Sequence, residues 1–144
     1  MLGEHDRTRK ENVEMVVEAE EIILHPGYDA DMFHRDDIAL LKLSVAVPFN
    51  DAISRACWKY NDIEESAGQD YCYLAGWGAQ EDADESTVLY KGKMTQVNRH
   101  ACEKSWKRKL DPNVMCAGTK SQVLACQGDS GGALICVDNN GRHK

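Results

Sequence analysis

A serine near the C-terminal end of the chain lies in a run of residues that suits a nucleophile. The run is Cys126-Gln127-Gly128-Asp129-Ser130-Gly131-Gly132. Because three of its last five residues are glycines, the backbone can turn so sharply that its N–H groups point outward. Such a turn can present both a nucleophilic hydroxyl and the donors that stabilise an oxyanion. The alternative is an ordinary surface turn, and the cysteine before the motif and the apolar residues 133–137 after it make that alternative much weaker.

The composition limits the classes of protein that the chain can belong to. Its 144 residues are 42% hydrophobic and 28% charged, with a formal net charge of −7. These values indicate one ordinary soluble domain, or part of one, and they argue against a nucleic-acid partner. The short basic cluster at residues 104–109 is interpreted as a solvated face. No run approaches the roughly 20 apolar residues that span a membrane, so no membrane partner is expected.

Six cysteines are many for a cytosolic chain, and none forms a Cys-x-x-Cys pair. Structural disulfides are therefore the better interpretation, and they imply a secreted, extracellular protein. The N-terminus has neither the basic nor the apolar region of a signal peptide. We accordingly expect the sequence to be a fragment whose true N-terminus is missing.

The elements that must position the serine are predicted to be short strands. Apolar runs recur between polar turns, and their brevity is typical of an all-β sandwich or barrel. Residues 98–110 are the best helix candidate, whereas residues 13–24 suit either a helix or a strand. The acidic residues at 81, 82, 84 and 85 indicate an exposed loop. The predicted strands cover residues 22–24, 38–43, 71–75, 114–117 and 133–137.

Five strings besides the serine motif lie in order along the chain, at residues 2–6, 23–28, 37–43, 76–78 (after a cysteine at 72) and 115–118. Together with the serine motif, they resemble the chymotrypsin/trypsin family of serine endopeptidases. This resemblance implies an all-β fold of two antiparallel six-stranded barrels, here truncated at both ends. Residues 1–58 would be the rest of the first barrel and residues 59–144 most of the second. Complete all-β domains of this kind run to roughly 200–250 residues.

The resemblance assigns roles in a Ser-His-Asp mechanism, in which a histidine takes the proton of the attacking serine and an aspartate orients the histidine. Ser130 would be the nucleophile, and the backbone N–H groups of Gly128 and Ser130 would form the oxyanion hole. Asp37 would be the orienting aspartate. On composition alone Asp36 is equally eligible. Because Asp37 precedes an apolar run, its carboxylate is expected to be drawn toward the interior, where an unpaired charge is costly.

The catalytic histidine is missing from the sequence. None of the five histidines lies in the Ala-Ala-His-Cys setting that the family uses. His34 falls where the family lines its substrate groove, so we interpret it as a pocket residue. The isolated chain is therefore expected to be inactive, although its family consists of serine endopeptidases. A non-catalytic, protease-like binding or regulatory module is the alternative. An α/β-hydrolase elbow is rejected, because that motif needs a helix and a histidine after the serine, whereas a β-rich run follows Ser130 and the only later histidine is His143.

The resemblance also implies a pocket and an activation contact. Leu124 would set the base of the primary pocket, with Ala125 and Gln127 beside it. A leucine offers no charge to a basic P1 side chain, so an apolar P1 preference is expected. Asp129 would pair with the amine released by zymogen cleavage, and without that amine the loop should relax toward a zymogen-like form. The expected partners are peptide and protein substrates and protein protease inhibitors.

Disulfides and a metal complete the expectations from the resemblance. Cys72 would pair with Cys136 and Cys102 with Cys116, whereas Cys57 and Cys126 would bridge to cysteines outside the sequence. No cofactor is required. Structural calcium is a further hypothesis, because carboxylates fall where the family's calcium loop has them and hard cations prefer several oxygen ligands. The carboxylates belong to Glu4, Glu11 and Glu14, with carbonyls near Asp6 and Arg9 between them.

Overall fold

The computed structural model describes residues 1–30, 35–56, 71–80, 85–118 and 125–137. These residues are mostly β, with one short helix. They divide into two compact units. The first contains Met1–Arg55 and Asp111–Val114, and the second contains Ala56–Leu110 and Met115–Lys144. Within the described residues, no helix has the length and apolar character needed to cross a membrane.

The first unit contains a two-stranded antiparallel sheet. Strand β1 (Ala19–Leu24) pairs with β2 (Ala39–Leu43), and Leu24 lies opposite Ala39. Every residue of both strands is exposed. A two-stranded ribbon alone is marginally stable in water, so the order of this unit rests also on residues outside the ribbon. Among them is Ile53, which is 8% exposed.

The second unit contains a four-stranded antiparallel sheet and most of the buried core. Its strands are β3 (Tyr71–Gly76), β4 (Tyr90–Val97), β5 (Cys116–Gly118) and β6 (Leu134–Val137). Their order in the sheet is β5-β4-β3-β6. Cys72 lies opposite both Met94 and Cys136, and directly opposed residues share a face of the sheet. The core therefore lies on that face, where Cys72 is 1% exposed and Met94 5%.

The strands agree with the sequence pattern except in two places. Residues 13–24, which suited a helix or a strand, form a strand from Ala19 onward. Strand β4 was not predicted, because only Met94 of its eight residues is buried and polar residues dominate the rest. In the described residues neither sheet closes on itself. The trypsin-like double six-stranded barrel therefore stays a prediction.

Helix α1 (Arg99–Trp106) is shorter than the predicted residues 98–110. It begins at Asn98, whose side chain accepts hydrogen bonds from the N–H groups of the second and third helical residues. It ends where Lys107 adopts a left-handed conformation, with φ 55°. The Glu103 carboxylate then accepts the N–H of Leu110 at 3.1 Å, which holds the chain after the helix in a tight turn.

The pH dependence of stability should carry a contribution from Glu103. The Leu110 N–H and, after it, the Lys109 ammonium hold the pKa of this carboxyl below its ordinary value of 4.5. Since the folded state lowers this pKa, the stabilisation is complete above about pH 5 and is lost as pH falls through the lowered value. Urea denaturation of the Glu103→Gln variant should therefore show less acid destabilisation than the unmodified chain. Glu18→Gln, an exposed carboxylate in the first unit, is the control, and an equal change in both variants would contradict the assignment.

Candidate active site

The serine loop folds on itself in the second unit. The N–H of Asp129 donates to the Cys126 carbonyl at 3.1 Å, and the N–H of Gly132 donates to the Asp129 carbonyl at 3.0 Å. Gly128 has φ +94° and Gly131 φ +83°, a backbone region that disfavours side chains. These two glycines are therefore required by the turn. Ser130 lies between them and is exposed.

Four backbone N–H groups of this loop, those of Gln127, Gly128, Ser130 and Gly131, have no acceptor among the described residues. They include Gly128 and Ser130, the pair expected to form the oxyanion hole. An N–H group that the protein itself leaves free can donate to the charge that develops on a substrate oxygen. The loop thus leaves the expected donors without a protein acceptor, and the oxyanion hole itself stays a prediction.

The Asp129 carboxylate fastens the loop to the chain after β3. Its Oδ1 atom accepts the N–H of Gly78 at 3.0 Å, and its Oδ2 atom accepts the N–H of Cys126 at 3.1 Å. The backbone of Ala79 also donates to the carbonyl of Gln127 at 2.8 Å. The carboxylate is therefore satisfied by amides of its own unit. Its pairing with a released N-terminal amine, and the relaxation of the loop without that amine, stay predictions.

Close packing against the Asp129 side chain explains the two glycines of the Gly76-Trp77-Gly78 string. A Cβ atom added at Gly76 or at Gly78 would overlap the Asp129 carboxylate. The backbone can approach this acid closely only because both positions lack a side chain. The sequence showed the string but not the acid that it accommodates, which lies 51 residues away from Gly78.

We expect Gly76→Ala to destabilise the second unit by about 1–3 kcal/mol, since the new methyl group must displace a carboxylate that already accepts two hydrogen bonds. The free energy of unfolding from urea denaturation measures the effect. Gly118→Ala is the matched control, because its added Cβ would meet only a Val97 methyl group at 3.6 Å, which is ordinary contact. Equal stabilities of the two variants would show that the Asp129 side chain is not where the structure has it.

The two candidate aspartates have different surroundings in the first unit. Asp36 is 14% exposed, and its carboxylate accepts a hydrogen bond from Asn113 Nδ2 at 2.7 Å. The same carboxylate lies 3.7 Å from both His25 Nδ1 and Arg35 Nε. Asp37, in contrast, is exposed, and its carboxylate makes no hydrogen bond or ion pair with another described residue.

The expectation that Asp37 is drawn into the interior is wrong for the described part of the unit. The strand that follows it, β2, is exposed along its whole length and so provides no buried face beside the carboxylate. Sequence reasoning also missed the partners of Asp36. Its left-handed backbone, with φ 51°, is common for aspartate in turns, but the contact with Asn113 joins residues 77 positions apart and has no local signal.

The remaining pocket residues are only partly described. Ala125 and Gln127 are exposed in the loop. Leu124, His34 and Cys57 lie outside the described residues. Both predicted disulfides are present, one joining Cys72 of β3 to Cys136 of β6 and the other joining Cys102 of α1 to Cys116 of β5. Cys126 is exposed and is not bonded to another described cysteine.

The three glutamates proposed for calcium face protein groups instead. The Glu4 carboxylate accepts the N–H of His5 at 2.9 Å, and the Glu11 carboxylate lies 3.9 Å from the His5 ring. The N–H of Glu11 donates to Glu14 and lowers the pKa of that carboxyl. Across the described ranges, no three His, Cys, Asp or Glu side chains are grouped so as to hold a metal ion. Calcium binding therefore stays an untested prediction.

The fold and the loop define a class of trypsin-like β proteins, and comparison with known sequences agrees. The family model described as Trypsin matches residues 1–142, so the chain belongs to the trypsin family.

Three curated relatives illustrate the similarity. The chain is 37% identical over 125 residues to the CLIP domain-containing serine protease HP8 of Bombyx mori, covering 83% of this chain and 34% of that protein. It is 36% identical over 124 residues to transmembrane protease serine 11C of Mus musculus, with coverages of 83% and 28%. It is 32% identical over 138 residues to ovochymase of Halocynthia roretzi, with coverages of 93% and 9%. The chain thus spans about a third or less of each relative's length.

Proposed function

We propose that the chain is part of a serine endopeptidase domain in which Ser130 attacks the scissile carbonyl. The observation that carries the proposal is the loop around Ser130, whose hydroxyl is exposed between two left-handed glycines. The free N–H groups of Gly128 and Ser130 would bind the oxyanion of the tetrahedral intermediate. Removing one such donor typically costs about 2.7–4 kcal/mol of transition-state stabilisation.

Asp37 is the better candidate for the aspartate that orients the base. The carboxylate of Asp36 is already engaged by Asn113 and lies close to His25 and Arg35. These contacts already occupy part of the Asp36 carboxylate, so it is less suited to orient a further histidine ring. The carboxylate of Asp37 is free of such contacts among the described residues, which supports the role that the family resemblance gives it.

The chain as it stands does not complete the mechanism, because no histidine of its sequence occupies the catalytic setting. A serine hydroxyl without an adjacent base is a weak nucleophile at neutral pH. Within a whole domain, the substrates would be proteins or peptides cleaved after an apolar residue, as Leu124 suggests, and protein inhibitors would occupy the same groove. The two disulfides support a secreted protein.

A hybrid domain tests this proposal. Residues 1–144 would be joined to the flanking segments of an active trypsin-family protease, including one with Ala-Ala-His-Cys, and activated. We expect hydrolysis of peptide anilides that prefers apolar over basic P1 residues. Ser130→Ala and Asp37→Asn should each lower kcat/KM by about 10³-fold or more, whereas Asp36→Asn should leave it within about tenfold.

Three outcomes would contradict the proposal. Activity that survives Ser130→Ala would exclude this nucleophile. A loss with Asp36→Asn as large as the loss with Asp37→Asn would reassign the aspartate. A folded but wholly inactive hybrid would favour the non-catalytic, protease-like module.

A further inference from the structure

The turn after β1 places a histidine between a backbone donor and a carboxylate. The Nδ1 atom of His25 accepts the N–H of Gly27 at 3.1 Å, and it lies 3.7 Å from the Oδ2 atom of Asp36. All three residues belong to the first unit. A single ring nitrogen therefore has a donor on one side and a carboxylate oxygen on the other, and it can form a hydrogen bond with only one of them at a time.

Backbone hydrogen bonds hold these groups near each other. The N–H of His25 donates to the Ile38 carbonyl at 3.1 Å, and the N–H of Tyr28 closes the turn by donating to the His25 carbonyl at 3.0 Å. The N–H of Ile38 donates to the Asp36 carbonyl at 2.8 Å. The chain after β1 and the chain before β2 thus determine where the ring and the carboxylate meet.

Two further contacts set the position of the Asp36 carboxylate. A Cβ atom added at Gly27 would overlap its Oδ2 atom, so the turn can come this close only because the residue is a glycine. Its Oδ1 atom accepts a hydrogen bond from Asn113 Nδ2 at 2.7 Å. The side chain of Asp36 is 14% exposed, whereas that of His25 is 45% exposed. The histidine ring is accordingly the member of the pair that has room to move.

The protonation state of the ring decides which partner the Nδ1 atom can bind. The bond from Gly27 requires a neutral imidazole whose proton is on Nε2, because Nδ1 must be the acceptor. A protonated imidazole donates from both nitrogens and accepts at neither. The N–H of Gly27 then loses its acceptor, and Asp36 offers an acceptor for the Nδ1 proton. Histidine side chains change their charge between about pH 5 and 8.

We propose that His25 is a pH-sensitive switch, which binds the Gly27 N–H when the ring is neutral and the Asp36 carboxylate when the ring is protonated. From 3.7 Å, the Nδ1 and Oδ2 atoms need to approach by only about 1 Å to reach the length of a charge-assisted hydrogen bond. Such bonds are roughly twice as strong as neutral ones. Acidification therefore exchanges a bond within the turn for one that ties the turn to the chain before β2.

The other charged groups near the ring leave this exchange possible. The Nε atom of Arg35 also lies 3.7 Å from Asp36 Oδ2 and competes with a protonated ring for that oxygen. It makes no hydrogen bond, so the oxygen can still accept one from His25. Within the described residues, His25 has no ionic partner besides Asp36. Residues 31–34 lie outside the described ones. The other titratable residues of the adjoining segments are Tyr28, Asp29, Asp37 and Asp111.

Nuclear magnetic resonance of the isolated chain tests the switch, which needs no catalytic activity. As the pH falls from about 8 to about 5, the amide proton of Gly27 should move upfield, because it loses its hydrogen bond. The carboxyl carbon of Asp36 should shift over the same interval, with the same midpoint. At about pH 5 the Nδ1 proton of His25 should give a resolved signal, since the bond to the carboxylate slows its exchange with water.

The test variant is His25→Asn, because an asparagine can still accept the N–H two residues further on but does not titrate. It should abolish the pH-dependent shifts of Gly27 and of the Asp36 carboxyl. Asp36→Asn should abolish the Nδ1 signal and leave the Gly27 shift. The control is His100→Asn, which replaces an exposed histidine of the second unit and should leave all three signals unchanged.

The amide spectrum of each variant verifies folding. The proposal is overturned if the Gly27 amide does not respond to pH, or if it responds equally in His25→Asn. It is also overturned if the Asp36 carboxyl does not shift in this interval, or if the Nδ1 signal is absent from the unmodified chain or survives Asp36→Asn.

Discussion

Replacing Cys72 and Cys136 together by alanine is expected to lower the free energy of unfolding of the second unit by about 4 kcal/mol. The bond joins two directly opposed residues of β3 and β6 that are 64 positions apart in the sequence. A cross-link of this span removes a large amount of entropy from the unfolded chain. Since small domains are stable by only about 5–15 kcal/mol, a loss of this size would remove between about a quarter and four fifths of the stability.

The second disulfide provides the comparison. Cys102→Ala/Cys116→Ala opens a loop of 14 positions, for which the same chain-entropy argument gives about 3 kcal/mol. Urea denaturation followed by circular dichroism measures both variants. A smaller loss for the long loop than for the short one would show that the entropy of the unfolded chain does not determine the effect.

Replacing Asp129 by alanine is expected to cost about 3 kcal/mol and to release the serine loop. The carboxylate accepts the N–H groups of Gly78 and Cys126, and hydrogen bonds to charged groups contribute about 1.5–3 kcal/mol each. Gly78 is buried, so its N–H would lose its acceptor without gaining free access to water. Hydrogen exchange should show much faster exchange at the amides of Gly78 and Cys126, together with a lower free energy of unfolding.

Two further variants separate the hydrogen bonds from the loss of charge. Asp129→Asn keeps one carbonyl acceptor and should cost less than Asp129→Ala. Asp51→Ala removes an exposed carboxylate of the first unit and should change the stability by less than about 0.5 kcal/mol. Unchanged exchange at Gly78 in the Asp129→Ala variant would contradict the contact.

The sequence was sufficient to predict the strands and the helix whose residue pattern lies within one short segment. Short apolar runs predicted β1, β2, β3, β5 and β6, and the spacing of Ala101, Trp106 and Leu110 predicted a helix within residues 98–110. Strand β4 was not predicted, because its lysines at 91 and 93 alternate with other residues before Met94 and the segment contains no apolar run. Its strand conformation depends on the two strands that flank it in the sheet, which is a tertiary effect.

The site was predictable to the extent that its geometry is local. The glycines at 128 and 131 predicted the turn around Ser130, because a left-handed backbone favours glycine. The contacts that hold the site were not predictable in this way. Asp129 reaches Gly78 across 51 positions and Asn113 reaches Asp36 across 77, so neither pair has a pattern within one element. The exposure of Asp37 likewise depends on whether other residues pack on β2. The apolar composition of that strand alone does not show whether they do.

We expect the Ser130 hydroxyl to be unreactive in this chain, because no histidine of the sequence lies in the setting of the base that would activate it. Labelling with a fluorophosphonate probe, followed by mass spectrometry of the peptide that contains Ser130, tests it most directly. We expect no labelling of the isolated chain under conditions that label an active trypsin-family protease completely. Stoichiometric labelling of the isolated chain that Ser130→Ala abolishes would contradict it.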